Sequence, residues 1–109
     1  LLSENDLVIL EDYTGTGIAW GLTWGADLEY LERINRDLLQ PDLCILMHGE
    51  RFDTAIEAGH RNEMAAERIR ICKNFHWLLA GRYGWQCVNA NQSIEQVAED
   101  IIRIVKKML

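Results

Sequence analysis

The chain has no apolar run long enough to cross a bilayer: its longest stretches, such as residues 7–10, fall far short of the roughly 18 that a membrane-spanning helix needs. Nothing in it resembles a signal peptide. It also lacks an excess of cations. With 11 Lys and Arg against 17 Asp and Glu the formal charge is −6, and the two signs are interspersed. That argues against a sequence-independent grip on nucleic acid, which relies on clustered Lys and Arg to displace counterions. A small anionic ligand held by a few local arginines stays open. Cysteine is scarce, and Cys44, Cys72 and Cys87 are odd in number, widely spaced and set among apolar residues. They read as reduced core thiols, with no disulfide, in a soluble cytoplasmic protein. There are no repeats, low-complexity tracts or linkers, so the chain is one domain or part of one. A domain of 109 residues has little stability to spare, because it buries only about two-thirds of its unfolded surface. The first residue is Leu1 rather than an initiator Met, which raises the expectation of further sequence upstream.

What is present is an alternation of short apolar runs and helical periods. Residues 7–10, 43–47 and 85–88 read as buried parallel strands of an α/β fold, a parallel sheet flanked by helices. Each ends in polar or small residues: Glu11-Asp12, His48-Gly49 and Asn89-Ala90-Asn91. Parallel strands would bring those three ends to one edge of the sheet, where ligands bind. Leu28, Leu31, Ile34 and Leu38 then mark one face of a helix capped by Asp27, with Glu29 and Arg33 spaced to pair outside and Gln40-Pro41-Asp42 stopping it. A longer helix over 62–79 would turn Ala65, Ile69, Cys72, Phe75 or His76, and Leu79 inward and end near Gly81 and Gly84. The last helix opens on Ser93-Ile94-Glu95-Gln96, a capping-box pattern. It would bury Ile94, Val97, Ile101, Ile104, Val105 and Met108, with Lys106 and Lys107 suiting the dipole of its last turn.

The run Glu11-Asp12-Tyr13-Thr14-Gly15-Thr16-Gly17-Ile18-Ala19-Trp20-Gly21 reads as a site: two carboxylates at a strand end, then a small-residue turn opening a helix. Glu11-Asp12-Tyr13, Thr16 and Ala19-Trp20 resemble, in register, the signature that follows the third strand of thymidylate kinases, P-loop nucleoside-monophosphate kinases. Gln40-Pro41-Asp42-Leu43-Cys44-Ile45-Leu46 is similar to their Pro-Asp-Leu strand. Glu57-Ala58-Gly59-His60-Arg61-Asn62-Glu63 resembles their lid, and Val88-Asn89-Ala90-Asn91-Gln92-Ser93-Ile94-Glu95 their adenine-side loop. The order corresponds to the C-terminal half of the family, with a lid-like segment at about 50–63.

The resemblance implies transfer of the ATP γ-phosphoryl group to dTMP, giving dTDP, with Mg²⁺ and arginines supplying the positive field. Glu11 would stand near Mg²⁺ and the acceptor phosphate. Asp12 occupies the place of an Arg that holds the monophosphate in the family. Either it is a second Mg²⁺ ligand while another Arg clamps the substrate, or phosphate binding is lost. Thr16 and Gly17 would meet the acceptor nucleotide, and Tyr13 and Trp20 would pack on its sugar or base, ordinary helix-to-sheet packing being the competing role for Trp20. Arg61, with Arg51 as second choice, would reach the transferred phosphoryl; Arg68 reads as a solvated surface residue. Asn89, Ala90 and Asn91 would touch adenine through backbone groups, although a plain turn before a capped helix explains them nearly as well. Cys72 and His76 lie one helical turn apart, with no partners to complete a tetrahedral metal set.

No Gly-x-x-x-x-Gly-Lys-Ser/Thr stretch, the loop that cradles ATP phosphates, occurs in the chain. The family carries it after a first strand lying between the first and second strands read here. These residues alone are therefore expected to lack the N-terminal P-loop strand, to be inactive, and to need pairing from elsewhere. Family members are often homodimers through helices beside the sheet, for which Leu28, Leu31 and Ile34 offer a face that would equally serve a monomer. A nucleotide-binding or regulatory module that kept the fold and lost catalysis is the alternative reading.

Overall fold

The computed structural model describes residues 7–49 and 63–109. Its elements, in chain order, are α1 (Thr14–Thr23), α2 (Leu28–Ile34), β1 (Ile45–His48), α3 (Glu63–Tyr83), β2 (Gln86–Asn89) and α4 (Ile94–Met108). The chain is thus α/β with a small parallel sheet. β1 and β2 pair in parallel, with Ile45 opposite Gln86 and His48 opposite Asn89, and α3 forms the crossover that a parallel pair requires.

The helix starts follow local chemistry. Asp27 accepts a hydrogen bond from the Tyr30 amide at 3.1 Å, and Ser93 accepts one from the Gln96 amide at 3.1 Å. Each satisfies a backbone donor that the first helical turn leaves without a partner. α2 ends earlier than its apolar period suggested. The Asn35 side-chain amide donates to the Leu31 carbonyl at 2.7 Å, taking the acceptor that the next turn would use. Leu31 is buried and Leu28 half-buried, whereas Ile34 and Leu38 are exposed. α3 runs on to Tyr83, and Gly84 follows it with φ 71°, a left-handed conformation in which a residue lacking Cβ carries no steric cost.

The core lies among helices. Ile18 and Ala19 of α1, Leu31 of α2, and Cys72 and Leu79 of α3 are buried together, flanked by half-buried Leu22, Phe75 and Trp85. Close contact between α1 and Trp85 depends on Gly15, where a Cβ would sit 2.5 Å from the indole. α1 and α3 are also tied at their edge by Arg68. It is half-buried rather than solvated, with its guanidinium 4.0 Å from the centre of the Trp24 ring and a hydrogen bond to the Thr23 carbonyl at 3.4 Å.

Three sequence expectations are corrected. Residues 7–10 form no strand, and Leu7, Ile9 and Leu10 are exposed; a strand needs a neighbour to complete its ladder, and among the described residues β1 pairs with β2 alone. α4 is amphipathic, but none of its residues is buried. Val97, Ile101, Ile104 and Val105 are half-covered, and Ile94 and Met108 are exposed, because a two-stranded sheet is too narrow to roof the whole stripe. Cys72 is buried and Cys44 half-buried, but Cys87 is exposed, since alternation along β2 sends Val88 inward and Cys87 outward.

Candidate functional site

Glu11 and Asp12 are exposed at the entrance to α1. Asp12 has φ 55°, a left-handed conformation that Asp and Asn adopt more readily than longer side chains do. The backbone at this position therefore suits the residue that departs from the kinase pattern. The Thr16 hydroxyl donates to the Asp12 carboxylate at 3.5 Å. Trp20 lies one turn beyond Thr16 on the same side of α1. Trp20 is 38% exposed, so part of it is open to solvent. A Cβ at Gly17 would meet nothing within 4 Å, which leaves that turn open as well. The Tyr13 hydroxyl donates to the Leu39 carbonyl at 2.9 Å, leaving its ring as the part available for packing.

Beside the start of α1 lies an open cleft of about 500 Å³, bordered by Thr14 and Gly15, by Glu32, Asn35 and Arg36, and by Asp42, Cys44 and Gln86. Its rim is fixed by a cluster that no local pattern in the sequence announces. Arg82 holds Glu32 through two hydrogen bonds of 2.9 Å, and the Tyr83 hydroxyl donates to the same carboxylate at 2.5 Å. These bonds, from Arg82 first and then Tyr83, hold the Glu32 carboxyl below its ordinary pKa.

The adenine-side candidates lie at the other end of the sheet. The Ala90 amide donates to the His48 carbonyl at 2.6 Å, and the Asn91 amide to the Asn89 side chain at 2.8 Å. Gly49 admits the Asn91 side chain, whose Oδ1 would lie 2.1 Å from a Cβ there. The His48 ring packs on Trp77 with centroids 4.8 Å apart. Thr14 and Gly15 border the same open cleft as Cys44 and Gln86, at the amino ends of the strands, whereas Asn89, Ala90 and Asn91 follow the carboxyl ends. The expectation that three strand ends share one edge is corrected in this respect: residues 7–10, which were to carry Glu11 there, form no strand. Arg51 and Arg61, with the lid-like segment at about 50–63, lie outside the described residues.

As a donor set, Glu11 and Asp12 supply two neighbouring exposed carboxylates, and no group of three or more His, Cys, Asp or Glu suited to a metal occurs among the described residues. Mg²⁺ commonly takes one or two carboxylates and completes its octahedron with water and substrate phosphates. The pair fits an ion of that kind delivered on a nucleotide, and not a dedicated protein cage. The His76 Nδ1 lies 2.8 Å from the Cys72 carbonyl, an acceptor to which it must donate.

The chain is of the α/β class, helices with a small parallel sheet, and comparison with known proteins says what it is similar to. The chain is similar to a putative thymidylate kinase of Invertebrate iridescent virus 6, with 28% identity over 103 residues, 92% of this chain and 48% of the relative. It is 30% identical to human thymidylate kinase over 105 residues, 92% of this chain and 50% of the relative. A probable thymidylate kinase of Pyrococcus abyssi is 29% identical over 114 residues, 99% of this chain and 56% of the relative. The chain is accordingly thymidylate kinase-like and divergent, and it spans about half the length of the curated relatives it matches. No family model and no solved structure matches it. No helix among the described residues is long and apolar enough to cross a membrane.

Proposed function

We propose that the chain is the C-terminal, acceptor-and-lid part of a phosphotransferase that moves the ATP γ-phosphoryl group onto dTMP to give dTDP, acting together with a P-loop-bearing segment. The observation that carries this reading is similarity over nearly the whole chain to thymidylate kinases from a virus, an archaeon and a human.

Phosphoryl transfer asks little covalent chemistry of the protein and much positioning and charge neutralisation. Glu11 and Asp12 would hold Mg²⁺ together with nucleotide phosphate oxygens. When bound, the ion neutralises the phosphate charge that these two carboxylates would otherwise repel. That repulsion is about 1 kcal/mol per charge pair at 4 Å in water, and about 4 kcal/mol at the effective dielectric of a protein surface. Asp12 in place of an arginine thus makes acceptor binding more dependent on a cation. Thr16, already turned toward Asp12, orients that carboxylate. The Tyr13 ring and the open part of Trp20 flank the acceptor's sugar and base, and Gly17 leaves room for them. Arg61, with Arg51 in reserve, would meet the transferred phosphoryl group. Backbone groups of Asn89, Ala90 and Asn91 would line the adenine.

The test begins with the coding sequence ahead of the Leu1 codon. An in-frame strand followed by Gly-x-x-x-x-Gly-Lys-Ser/Thr is expected, and the longer product should turn over ATP with dTMP. Glu11→Gln should lower kcat by about 100-fold or more, the scale of losing one preorganised charge-stabilising group. Turnover indifferent to Glu11→Gln, or absent with dTMP while nucleotide still binds, would overturn the proposal.

A further inference from the structure

An aromatic pair stands at the carboxyl ends of the two strands, where no role has been assigned to it. β1 and β2 end side by side, with His48 opposite Asn89, and the Ala90 amide donates to the His48 carbonyl at 2.6 Å. The loop at 89–91 therefore starts directly against His48. Gly49 leaves the space of a Cβ to the Asn91 side chain, so the turn after β1 and the loop after β2 interlock. The His48 ring packs on Trp77 of α3, with centroids 4.8 Å apart and planes inclined by 49°.

Trp77 is 43% exposed, whereas Leu79 and Ala80, the next residues but one and two along α3, are buried. A single exposed apolar side chain is ordinary on a protein surface. This one differs in its setting, since it leans on a second ring whose own backbone is bonded to the loop at 89–91. The junction thus puts a flat apolar surface beside polar main-chain groups. A nucleobase uses both, a π face for stacking and an edge for hydrogen bonds. No Lys or Arg occurs among His48, Trp77 and residues 89–91, so these residues have little to offer a phosphate.

We infer that Trp77, braced by His48, is the stacking platform for the adenine of ATP, with the edge of the base turned to the backbone of residues 89–91. The inference rests on the kinase-like reading for the identity of the base, and on the aromatic pair for its location. Trp77 touches the base and is a binding residue. His48 acts through Trp77, fixing the tilt of the indole, and is a positioning residue.

The test titrates the 109-residue chain with adenosine, and with ribose 5-phosphate as the control that lacks a base, while NMR follows the Trp77 indole N–H and the Ala90 amide. Both resonances should move with adenosine along one binding curve, and neither with ribose 5-phosphate. Read at the Ala90 amide, Trp77→Ala should weaken adenosine about tenfold, the scale of losing one base–aromatic stack, and Trp77→Phe should recover most of it. His48→Ala should weaken binding by a smaller factor, and His48→Phe, which keeps a ring against Trp77, should not. Trp77 lies outside the buried cluster, and the phenylalanine variants separate loss of the stack from loss of the fold. The inference falls if adenosine leaves the Trp77 indole unmoved, if ribose 5-phosphate moves it as far, if Trp77→Ala binds as tightly as the parent, or if the two His48 variants weaken alike. None of these titrations requires phosphoryl transfer. Adenosine binding at Trp77 survives a failure of dTMP turnover, whereas turnover by the longer product with KM for ATP indifferent to Trp77→Ala ends this inference alone.

Discussion

Two glycines on α1, two positions apart, should respond oppositely to the same substitution. At Gly17 a Cβ meets nothing within 4 Å, so Gly17→Ala only removes the conformational entropy that glycine loses in a helix, stabilising by about 0.5–1 kcal/mol. At Gly15 the Cβ would lie 2.5 and 2.6 Å from two carbons of the Trp85 ring, where ordinary contact begins near 3.4 Å. A rigid indole packed beside the core cannot swing its tip aside as a lysine would, so the helix or the ring must shift, at a cost of about 1–3 kcal/mol. Set against the same helical gain, Gly15→Ala is destabilising by roughly 1 kcal/mol. The two variants then differ by about 2 kcal/mol, which at a slope of roughly 2 kcal/mol per molar urea separates their midpoints by about 1 M. Urea unfolding followed by far-UV circular dichroism measures this directly. The double variant Gly15→Ala/Trp85→Leu should relieve most of the clash through a favourable coupling term. Equal midpoints for the two single variants, or a clash that persists without the indole, would refute the close approach of α1 to Trp85.

The Glu32 carboxyl should titrate below its ordinary pKa in the folded chain, because Arg82 and then Tyr83 hydrogen-bond its charged form. A depressed folded pKa contributes stability that is present above the unfolded value and is lost as pH falls through the folded one. Arg82→Ala or Tyr83→Phe should move the Glu32 titration, followed by carboxyl-carbon NMR, upward and flatten that acid limb; an unmoved titration would mean the cluster does not form in solution. Thiol labelling should follow exposure. Cys87 should react first in the native chain, and Cys72, buried and with its thiol pKa pushed up by burial, only on unfolding. Fast native labelling of Cys72 would contradict the helical core.

What was legible in the sequence was what is decided locally. Asp27 and Ser93 cap their helices because a short side-chain acceptor two or three residues from the first free amides needs no distant partner. β1 and β2 appear within a residue or two of the apolar runs that announced them, and the kinase-like order of segments survives at low identity because it is an order rather than one motif. What stayed hidden depends on distant neighbours. Residues 7–10 carry a strand's composition, but composition does not supply the adjacent strand. The cluster of Glu32 with Arg82 and Tyr83 joins residues 50 and 51 positions apart, beyond the reach of any periodic signal. In the sequence Asp12 is an anomaly of charge; its left-handed backbone, which gives that residue a reason to be there, is invisible until the turn is built.

The stack of Arg68 on Trp24 gives the protein an optical gauge of its own. α1 carries the acceptor-side candidates, and α3 follows the lid-like segment in the sequence. A guanidinium 4.0 Å from the centre of the indole sets the local field that tunes that ring's emission. Any ligand or partner that slides the first turns of α3 along α1 would change the colour and yield of Trp24 before it changed the secondary structure. With Trp20, Trp77 and Trp85 replaced by phenylalanine, the remaining indole would report movement of α3 against α1 in real time, without a label.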